Sequence, residues 1–328
     1  MNPTRKTRPS RSDTGPDLSI DVGPLRLSNP VMVASGTFGA LMDTVLDVSK
    51  LGAVVEKTVT RRPRKGNPPP RVWETPSGML NSIGLENYGL EGWIKKRYPE
   101  VKDYPCALIV SVSGETVEEY GELVSAIDQL PRVDAFELNI SCPNVSHGLD
   151  HATDPASTER VVRIARAATR RPIFAKLTPN VTDIGAVAAA AMEGGADGLS
   201  LVNTMRGLAL DERTLAPRLA TATGGLSGPA LKPIALAAVY ACRRATQLPI
   251  VGMGGVMNGR DVLEFVACGA NDVALGTVLF ADPEAPARVR DELAAELSAH
   301  GFVSVDDAFA CAHDEHSPVR VSRELSPM

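Results

Sequence analysis

The chain has 328 residues, of which 44% are hydrophobic and 22% charged, and this is the composition of an ordinary soluble protein. The formal net charge is −5 and aromatic residues make up only 4%, so the chain lacks the basic field and the stacking residues that are typical of nucleic-acid binding. The length suits one large domain or two smaller ones.

The N-terminal segment and the cysteines both bear on where the protein works. Residues 1–17 are rich in Arg, Ser, Pro and Thr and lack the apolar core of a signal peptide, so we predict a disordered tail, with an organelle transit peptide as the less favoured alternative. The five cysteines are widely spaced and form no C-x-x-C pair, and the five histidines form no cluster. This pattern predicts no metal site and suits a reducing cytoplasm.

From Leu25 onward, short apolar runs alternate with amphipathic helical patterns. The predicted strands are residues 31–35, 53–58, 106–112, 135–141, 172–178, 198–204, 249–255 and 272–276, and the predicted helices include 117–129, 158–168, 184–192, 230–245 and 259–268. Near-continuous apolar strands are buried on both faces, as in a parallel sheet covered by helices. Eight such units predict an α/β fold of the (β/α)8 TIM-barrel type, with a doubly wound sheet as the alternative.

Two connections are too long for simple barrel loops. One runs over residues 59–104 after strand 2, and the other over residues 205–229 after strand 6. Long loops in compact domains are usually functional, and loops that follow barrel strands emerge at the C-terminal face, where barrel active sites lie. We expect both insertions to cover that face of a domain spanning residues 18–302, followed by a polar C-terminal tail, residues 303–328.

Polar residues or glycines follow the predicted strands. They are Ser35-Gly36, Lys57-Thr58, Ser111, Asn139 with Ser141-Cys142, Lys176, Asn203-Thr204, Gly254-Gly255 and Gly276-Thr277. One lysine at a strand end is usually a surface residue whose stem covers apolar groups. Several buried polar groups on one rim need polar partners, however, so we predict a polar ligand between them.

Glycine pairs end the last two strands, in GMGG (residues 252–255) and ALGT (residues 274–277). Loops at these barrel positions commonly bind phosphate through backbone N–H groups, because glycine lets the backbone approach closely. Gly228 precedes a predicted helix and would add donors at its N-terminus. Any one of these glycines alone is weak evidence, but together they predict a phosphorylated cofactor.

Cys142 follows the fourth strand in the stretch NISCPN, between Asn139 and Asn144. A lone cysteine is usually an inert core residue. On a polar loop, with lysines nearby, a thiol can instead shift toward thiolate and act as base or nucleophile. The other four cysteines lie in apolar elements or in the tail, and we predict that they are inert.

Several long stretches of the chain, in order, resemble the class 1 dihydroorotate dehydrogenases. They lie between Gly23 and Leu293 and include VMVASGTFG, EKTVTRRPRKGNPPPRVWETPSGMLNSIGLENYG, FELNISCPNVSHG, AKLTPNVTDI, LSLVNTMRGLALD, GGLSGPALKPIAL, PIVGMGGVMNGRD and VALGT. The resemblance implies an FMN-dependent oxidoreductase that oxidises dihydroorotate to orotate in the de novo synthesis of UMP.

The resemblance also implies roles for individual residues. Cys142 would be the catalytic base that takes the C5 proton while C6 gives a hydride to the flavin. FMN would be bound by Ser35, Lys57, Thr58, Ser111, Asn139, Lys176, Val202, Gly228, Gly254, Gly255, Gly276 and Thr277. Dihydroorotate would be bound by Lys57, Asn81, Ser82, Ile83, Gly84, Leu85, Asn139, Asn144, Asn203 and Thr204. Amides and a lysine suit a ring that carries carbonyls, N–H groups and a carboxylate.

Within the family, the chain most resembles the NAD-linked class 1B catalytic subunit. Quinone-linked enzymes use serine as base and carry a membrane-binding segment, and the fumarate-reducing class 1A type reads NSMGLPN where this chain reads NSIGLEN. The NAD-linked type implies a homodimer that forms a heterotetramer with a subunit carrying FAD and a [2Fe–2S] cluster. Ser111 stands where this type usually has asparagine, which leaves the flavin potential and the electron acceptor open.

Three alternatives stay open. The chain is compatible with the fumarate-reducing class 1A type, with another flavin barrel that acts on pyrimidines, such as an RNA-modifying dihydrouridine synthase, and with a flavin-binding scaffold in which Cys142 is incidental. The acidic net charge counts against an RNA substrate, and the basic run RRPRK (residues 61–65) is interpreted as a solvated loop.

Overall fold

The computed structural model describes residues 15–39, 42–140 and 151–313. Its strands are β1 Ile20–Val22, β2 Leu25–Leu27, β3 Val31–Val33, β4 Ala53–Val55, β5 Val72–Thr75, β6 Gly78–Asn81, β7 Ala107–Val112, β8 Ala135–Asn139, β9 Ile173–Lys176, β10 Gly198–Leu201, β11 Met205–Leu208, β12 Thr223–Ser227, β13 Ile250–Met253 and β14 Asp272–Leu275. Its α-helices are α1 Gly89–Gly92, α2 Tyr98–Val101, α3 Val117–Asp128, α4 Pro155–Ala168, α5 Ile184–Glu193, α6 Lys232–Ala245, α7 Gly259–Ala267, α8 Ala285–His300 and α9 Val305–Ala308.

Eight of these strands form a closed parallel barrel, in the order β3-β4-β7-β8-β9-β10-β13-β14, which confirms the predicted TIM barrel. The strands VMV of β3 and AVV of β4 are fully buried, as their continuous apolar runs predict. Each predicted strand contains the observed one, but most observed strands end two or three residues earlier. The polar residues that follow leave the hydrogen-bonded ladder and line the C-terminal mouth of the barrel.

Side-chain caps fix where the outer helices begin. Thr116, Asp183 and Asn258 each accept a hydrogen bond from a backbone N–H in the first turn of α3, α5 and α7. Helix α4 begins at Pro155, three residues before the predicted start, because Asp154 caps it and proline suits the first helical position. The described helices include none that is both long enough and apolar enough to cross a membrane.

The two insertions form a second sheet rather than the irregular loops that the sequence suggested. Strands β5 and β6 of the first insertion join β11 and β12 of the second in a four-stranded antiparallel sheet, in which Gly225 pairs with Asn81. Glycines at 78, 207, 224 and 225 leave positions without side chains and so obscure the period-two pattern of these strands. The two long connections were predicted correctly, but the strands within them were not predicted.

The chain ends of the predicted domain stay predictions, but the structure adds contacts at both. Asp17, the last residue of the predicted N-terminal tail, pairs with Ser304 through a backbone bridge. Val305 and Ala308, just beyond the predicted boundary at residue 302, are buried in the same hydrophobic core as the barrel. Packing therefore continues into the first residues of the segment predicted to be a tail.

Candidate active site

A cleft opens at the C-terminal end of the barrel and is bounded by the four-stranded sheet. Counted together with adjoining space that is open to solvent, its volume free of protein atoms is about 1260 Å³. Among the predicted site residues, those that line it are Ser35, Lys57, Thr58, Asn81, Ile83, Gly84, Leu85, Asn139, Lys176, Val202, Asn203, Thr204, Gly228, Gly254, Gly255, Gly276 and Thr277. Residues far apart in sequence therefore meet at one cavity.

A chain of hydrogen bonds between polar side chains crosses the mouth of the barrel. Thr58 Oγ1 lies 3.3 Å from Ser35 Oγ and 3.0 Å from Ser111 Oγ, and it accepts a hydrogen bond of 3.1 Å from Asn139 Nδ2. Asn203 Nδ2 donates in turn to Asn139 Oδ1, at 3.3 Å. Five strand ends are linked in this way, so the orientation of each amide and hydroxyl group is set by its neighbours.

Two lysines give the cavity its cationic character. Lys176 is 5% exposed and lies 3.3 Å, Nζ to Oε1, from the buried carboxylate of Glu137. Lys57 also lines the cavity, and a Cβ at Gly36 would lie 3.3 Å from its Nζ. Gly36 has a φ of 88°, a conformation that favours glycine, so the turn after β3 leaves room for the lysine.

The predicted phosphate loops lie side by side. Gly228, Gly254 and Gly255 all have positive φ, and a Cβ at Gly255 would come within 2.7 Å of the Gly228 carbonyl oxygen. Gly276 begins a short 3-10 helix over Thr277–Phe280, and Thr277 Oγ1 donates to Ser227 Oγ at 2.8 Å. Side chains at Gly228, Gly254 and Gly255 would crowd the packed loops, so the close backbone approach there depends on glycine.

Two of the described predicted residues do not line the cavity. Ser82 is fully buried, and its Oγ has no hydrogen-bond partner among the residues that the structure describes. Ser111 is also fully buried and supports the cavity from behind, through its contact with Thr58. The predicted catalytic Cys142 and the predicted substrate ligand Asn144 lie outside the described residues.

The sequence prediction missed Glu137, the partner of Lys176. It lies two residues before Asn139 on β8, and the period-two alternation of a strand places both side chains on the same face. That spacing was the available signal, because a glutamate inside an otherwise apolar strand needs a partner. Ser227, Val72 and Met79, which also line the cavity, were missed because the second sheet was not predicted.

Three described cysteines are poor candidates for a base. Burial raises the pKa of Cys106 to about 11, that of Cys242 to about 12 and that of Cys268 to about 11. A thiol with such a pKa is protonated at neutral pH and is a weak nucleophile. These properties agree with the inert role predicted for them.

Comparisons with known proteins agree with the cavity's composition. The sequence profile of the dihydroorotate dehydrogenase family matches residues 17–297. A protein of Geobacter sp. (strain M21), named dihydroorotate dehydrogenase B (NAD(+)), catalytic subunit, is 46% identical over 293 residues, which cover 88% of this chain and 96% of that protein. A protein of the same name from Desulforudis audaxviator (strain MP104C) is 45% identical over 298 residues, covering 90% and 97%. The chain therefore belongs to the dihydroorotate dehydrogenase family.

Proposed function

We propose that this chain is the catalytic subunit of an NAD-linked dihydroorotate dehydrogenase, which oxidises dihydroorotate to orotate in the de novo synthesis of UMP. The observation that carries the proposal is the cavity at the C-terminal mouth of the barrel, where glycine loops, two lysines and three asparagine amides meet. Family membership over residues 17–297 supports the same reaction.

The cavity fits FMN by the chemistry of its donors. Gly228, the pair Gly254-Gly255 and the pair Gly276-Thr277 would hold the phosphate, since all of them line the cavity and their backbones offer N–H groups. The flavin ring would lie against Ser35, Thr58, Asn139, Lys176 and Val202, with Ser111 supporting Thr58 from behind. When bound, FMN supplies the hydride acceptor, and the protein supplies position and charge.

Dihydroorotate would lie between the flavin site and the four-stranded sheet. The ammonium of Lys57 suits its carboxylate, and the amides of Asn81, Asn139 and Asn203 suit its ring carbonyl and N–H groups. Ile83, Gly84, Leu85 and Thr204 complete this wall, while Ser82 and Asn144 remain predicted ligands. The hydrogen-bonded chain from Thr58 through Asn139 to Asn203 fixes the amides before the substrate arrives.

Cys142 is our candidate for the base that takes the C5 proton. Its support is the family resemblance of NISCPN and the raised pKa of three other cysteines. We expect Cys142→Ala to retain FMN and to lose turnover about 10²–10⁴-fold at neutral pH, the usual contribution of a general base. Cys142→Ser should recover activity only at higher pH, because a hydroxyl is a weaker acid. Unchanged turnover of Cys142→Ala would contradict the assignment.

The names of the relatives support NAD as the electron acceptor, since each is called a B (NAD(+)) type catalytic subunit. We propose that FAD and a [2Fe–2S] cluster reside on a partner subunit that relays the electrons. A homodimer, its heterotetramer with that partner, and the cytoplasmic location stay predictions.

The acceptor is tested by anaerobic reoxidation of the purified chain after reduction by dihydroorotate. We expect neither fumarate nor NAD to reoxidise the isolated chain rapidly, and we expect NAD to do so once the partner subunit is added. Rapid reoxidation by fumarate alone would instead identify the self-sufficient class 1A type. Absence of any reduction by dihydroorotate would favour another flavin barrel or a scaffold.

A further inference from the structure

A buried ion pair lies directly below the proposed flavin site. Glu137 on β8 is 1% exposed and Lys176 on β9 is 5% exposed, and Lys176 Nζ lies 3.3 Å from Glu137 Oε1. In the strand register, Asn139 is the neighbour of Lys176 and Glu137 is the neighbour of Ser111. The carboxylate therefore lies one level deeper in the barrel than the polar residues that line the cavity.

Neither member of the pair has all its hydrogen bonds formed within the described part of the chain. The ammonium of Lys176 has three N–H donors, and its only hydrogen bond there is the one to Glu137. Glu137 Oε2 is buried without a hydrogen-bond partner. Lys176 lines the cavity, so its remaining donors are available to a ligand. Among the described residues, Lys176 is the one side-chain partner of the Glu137 carboxylate.

Stability alone does not account for this arrangement. Burying two charges costs several kcal/mol per ion, and a pair with poor hydrogen bonding does not recover that cost, so a well-packed apolar pair would be at least as stable. The pair is therefore better explained by what it does to the cavity: Glu137 holds the ammonium against the wall and offsets its positive charge.

We propose that Glu137 is a positioning residue for Lys176: it holds the ammonium at the wall of the proposed flavin site and, by offsetting its positive charge, lowers the midpoint potential of bound FMN. This inference rests on the proposed function, because it requires FMN in the cavity. An uncompensated cation beside the ring stabilises the reduced, more negative flavin over the oxidised one. Glu137 limits that effect, so the midpoint potential of the flavin stays between that of the electron donor and that of the electron acceptor.

The test is a double-mutant cycle on the FMN-loaded full chain, in which Glu137→Gln, Lys176→Met and the double variant are compared with the wild type. The midpoint potential is measured with a chemical reductant and a reference dye, so that no dihydroorotate is needed. We expect Glu137→Gln to tighten binding of reduced relative to oxidised FMN about tenfold, which is about 30 mV for a two-electron couple. The same substitution should have little effect in the Lys176→Met background, because burial of a charge without a partner favours its neutral form, which leaves Glu137→Gln no negative charge to remove.

Two controls separate this role from a structural one. Asp272→Asn also removes a fully buried carboxylate, but at the N-terminal end of β14, so it should leave the potential unchanged. Glu137→Asp keeps the negative charge but shortens the side chain by one methylene. We therefore expect a smaller rise in the midpoint potential than for Glu137→Gln. This variant also keeps the test available if Glu137→Gln does not fold.

Three outcomes would overturn the inference: an unchanged potential in both Glu137 variants, an equal shift in the Lys176→Met background, or a wild-type chain that binds no FMN. Failure of the proposed function looks different. In that case the wild type binds FMN but dihydroorotate does not reduce it. The double-mutant cycle with the chemical reductant would still measure how Glu137 changes the midpoint potential.

Discussion

Glu56 directly follows strand β4 and Glu137 lies on strand β8, and both side chains are buried. Glu56 pairs with Arg97 and Glu137 with Lys176. Glu56 accepts three hydrogen bonds, from Arg97 Nε at 3.2 Å, Arg97 Nη2 at 3.1 Å and Trp93 Nε1 at 3.3 Å. Glu137 accepts one from Lys176, at 3.3 Å, and its other oxygen has no partner within residues 15–39, 42–140 and 151–313. The two carboxylates are equally buried, at 1% exposure, and differ mainly in how completely they are bonded.

The difference separates an anchor from a functional group. Arg97 belongs to the helical part of the first insertion, so its paired hydrogen bonds to Glu56 hold that insertion against the barrel beside Lys57. Burial raises the pKa of Glu56, and the charge of Arg97 opposes that rise. The fully bonded pair serves the fold, whereas the partly bonded pair leaves donors free for the cavity.

The largest expected effect comes from breaking the anchor. Arg97→Met leaves the Glu56 carboxylate buried without its cation, and we expect a loss of about 3–5 kcal/mol in the free energy of unfolding, measured with urea on the FMN-free chain. Adding Glu56→Gln should recover part of that loss. Arg163→Met, which removes an exposed ion pair with Glu159, is the matched control and should cost well under 1 kcal/mol. A loss of that small size for Arg97→Met would contradict the anchoring role.

Asp272 extends the comparison to a buried carboxylate that has no cationic partner in the described part of the chain. Its Oδ1 accepts a hydrogen bond from Val273 N, its Oδ2 has no partner among the same residues, and burial raises the pKa of Asp272 to about 7. Between about pH 4 and pH 7 the Asp272 carboxyl is ionised in the unfolded chain and protonated in the native chain. The free energy of unfolding therefore falls as the pH rises.

Asp272→Asn should abolish that dependence. Relative to the wild type, the variant's free energy of unfolding should grow by up to about 4 kcal/mol from pH 4 to pH 8, since each pKa unit corresponds to about 1.4 kcal/mol. Urea unfolding at several pH values measures this difference. Parallel stability curves for the two proteins would show that Asp272 is already ionised in the native state.

The four-stranded sheet is a second place where the insertions are held together, and a substitution there should cost less stability than Arg97→Met. A Cβ at Gly225 would lie 2.0 Å from Thr204 Oγ1 and 2.6 Å from Thr204 Cβ. Gly225→Ala must therefore displace a residue of the cavity wall, at a cost of about 1–3 kcal/mol, and it should weaken dihydroorotate binding as well. Gly39→Ala, where a Cβ meets no atom within 4 Å, should change neither property.

The smallest effect should come from the outer partner of Arg97. Glu100 Oε2 accepts a 2.8 Å hydrogen bond from Arg97 Nη1, but its side chain is 52% exposed. Glu100→Gln should therefore cost less than about 1 kcal/mol, because water screens exposed ion pairs. A loss as large as that of Arg97→Met would mean that Glu100, rather than Glu56, carries the anchor.

The sequence predicted the barrel well because its signal is local. Each barrel strand is a short apolar run, and each polar strand end, such as Lys176 or Asn203, follows its run directly. The glycine loops were found for the same reason. Strand ends were overestimated, as at residues 198–204, because the polar residues that directly follow the apolar run were counted with the strand, whereas they turn into the cavity.

What the sequence did not predict depends on contacts between distant segments. The pairing of Glu137 with Lys176 joins two strands, and nothing in the run FELN alone indicates its partner. The second sheet joins segments more than a hundred residues apart, and its glycines carry no alternation. The role of Cys142 rests on the family resemblance, on its polar sequence surroundings and on the high pKa of three other cysteines, and it stays a prediction.

The most direct test of the proposed reaction is an anaerobic titration of the FMN-loaded chain with dihydroorotate, followed at the visible flavin absorption band. We expect about one molecule of dihydroorotate per bound flavin to bleach the band, and orotate to appear in an equal amount. A chain that binds FMN and is bleached by a chemical reductant, but not by dihydroorotate, would contradict it.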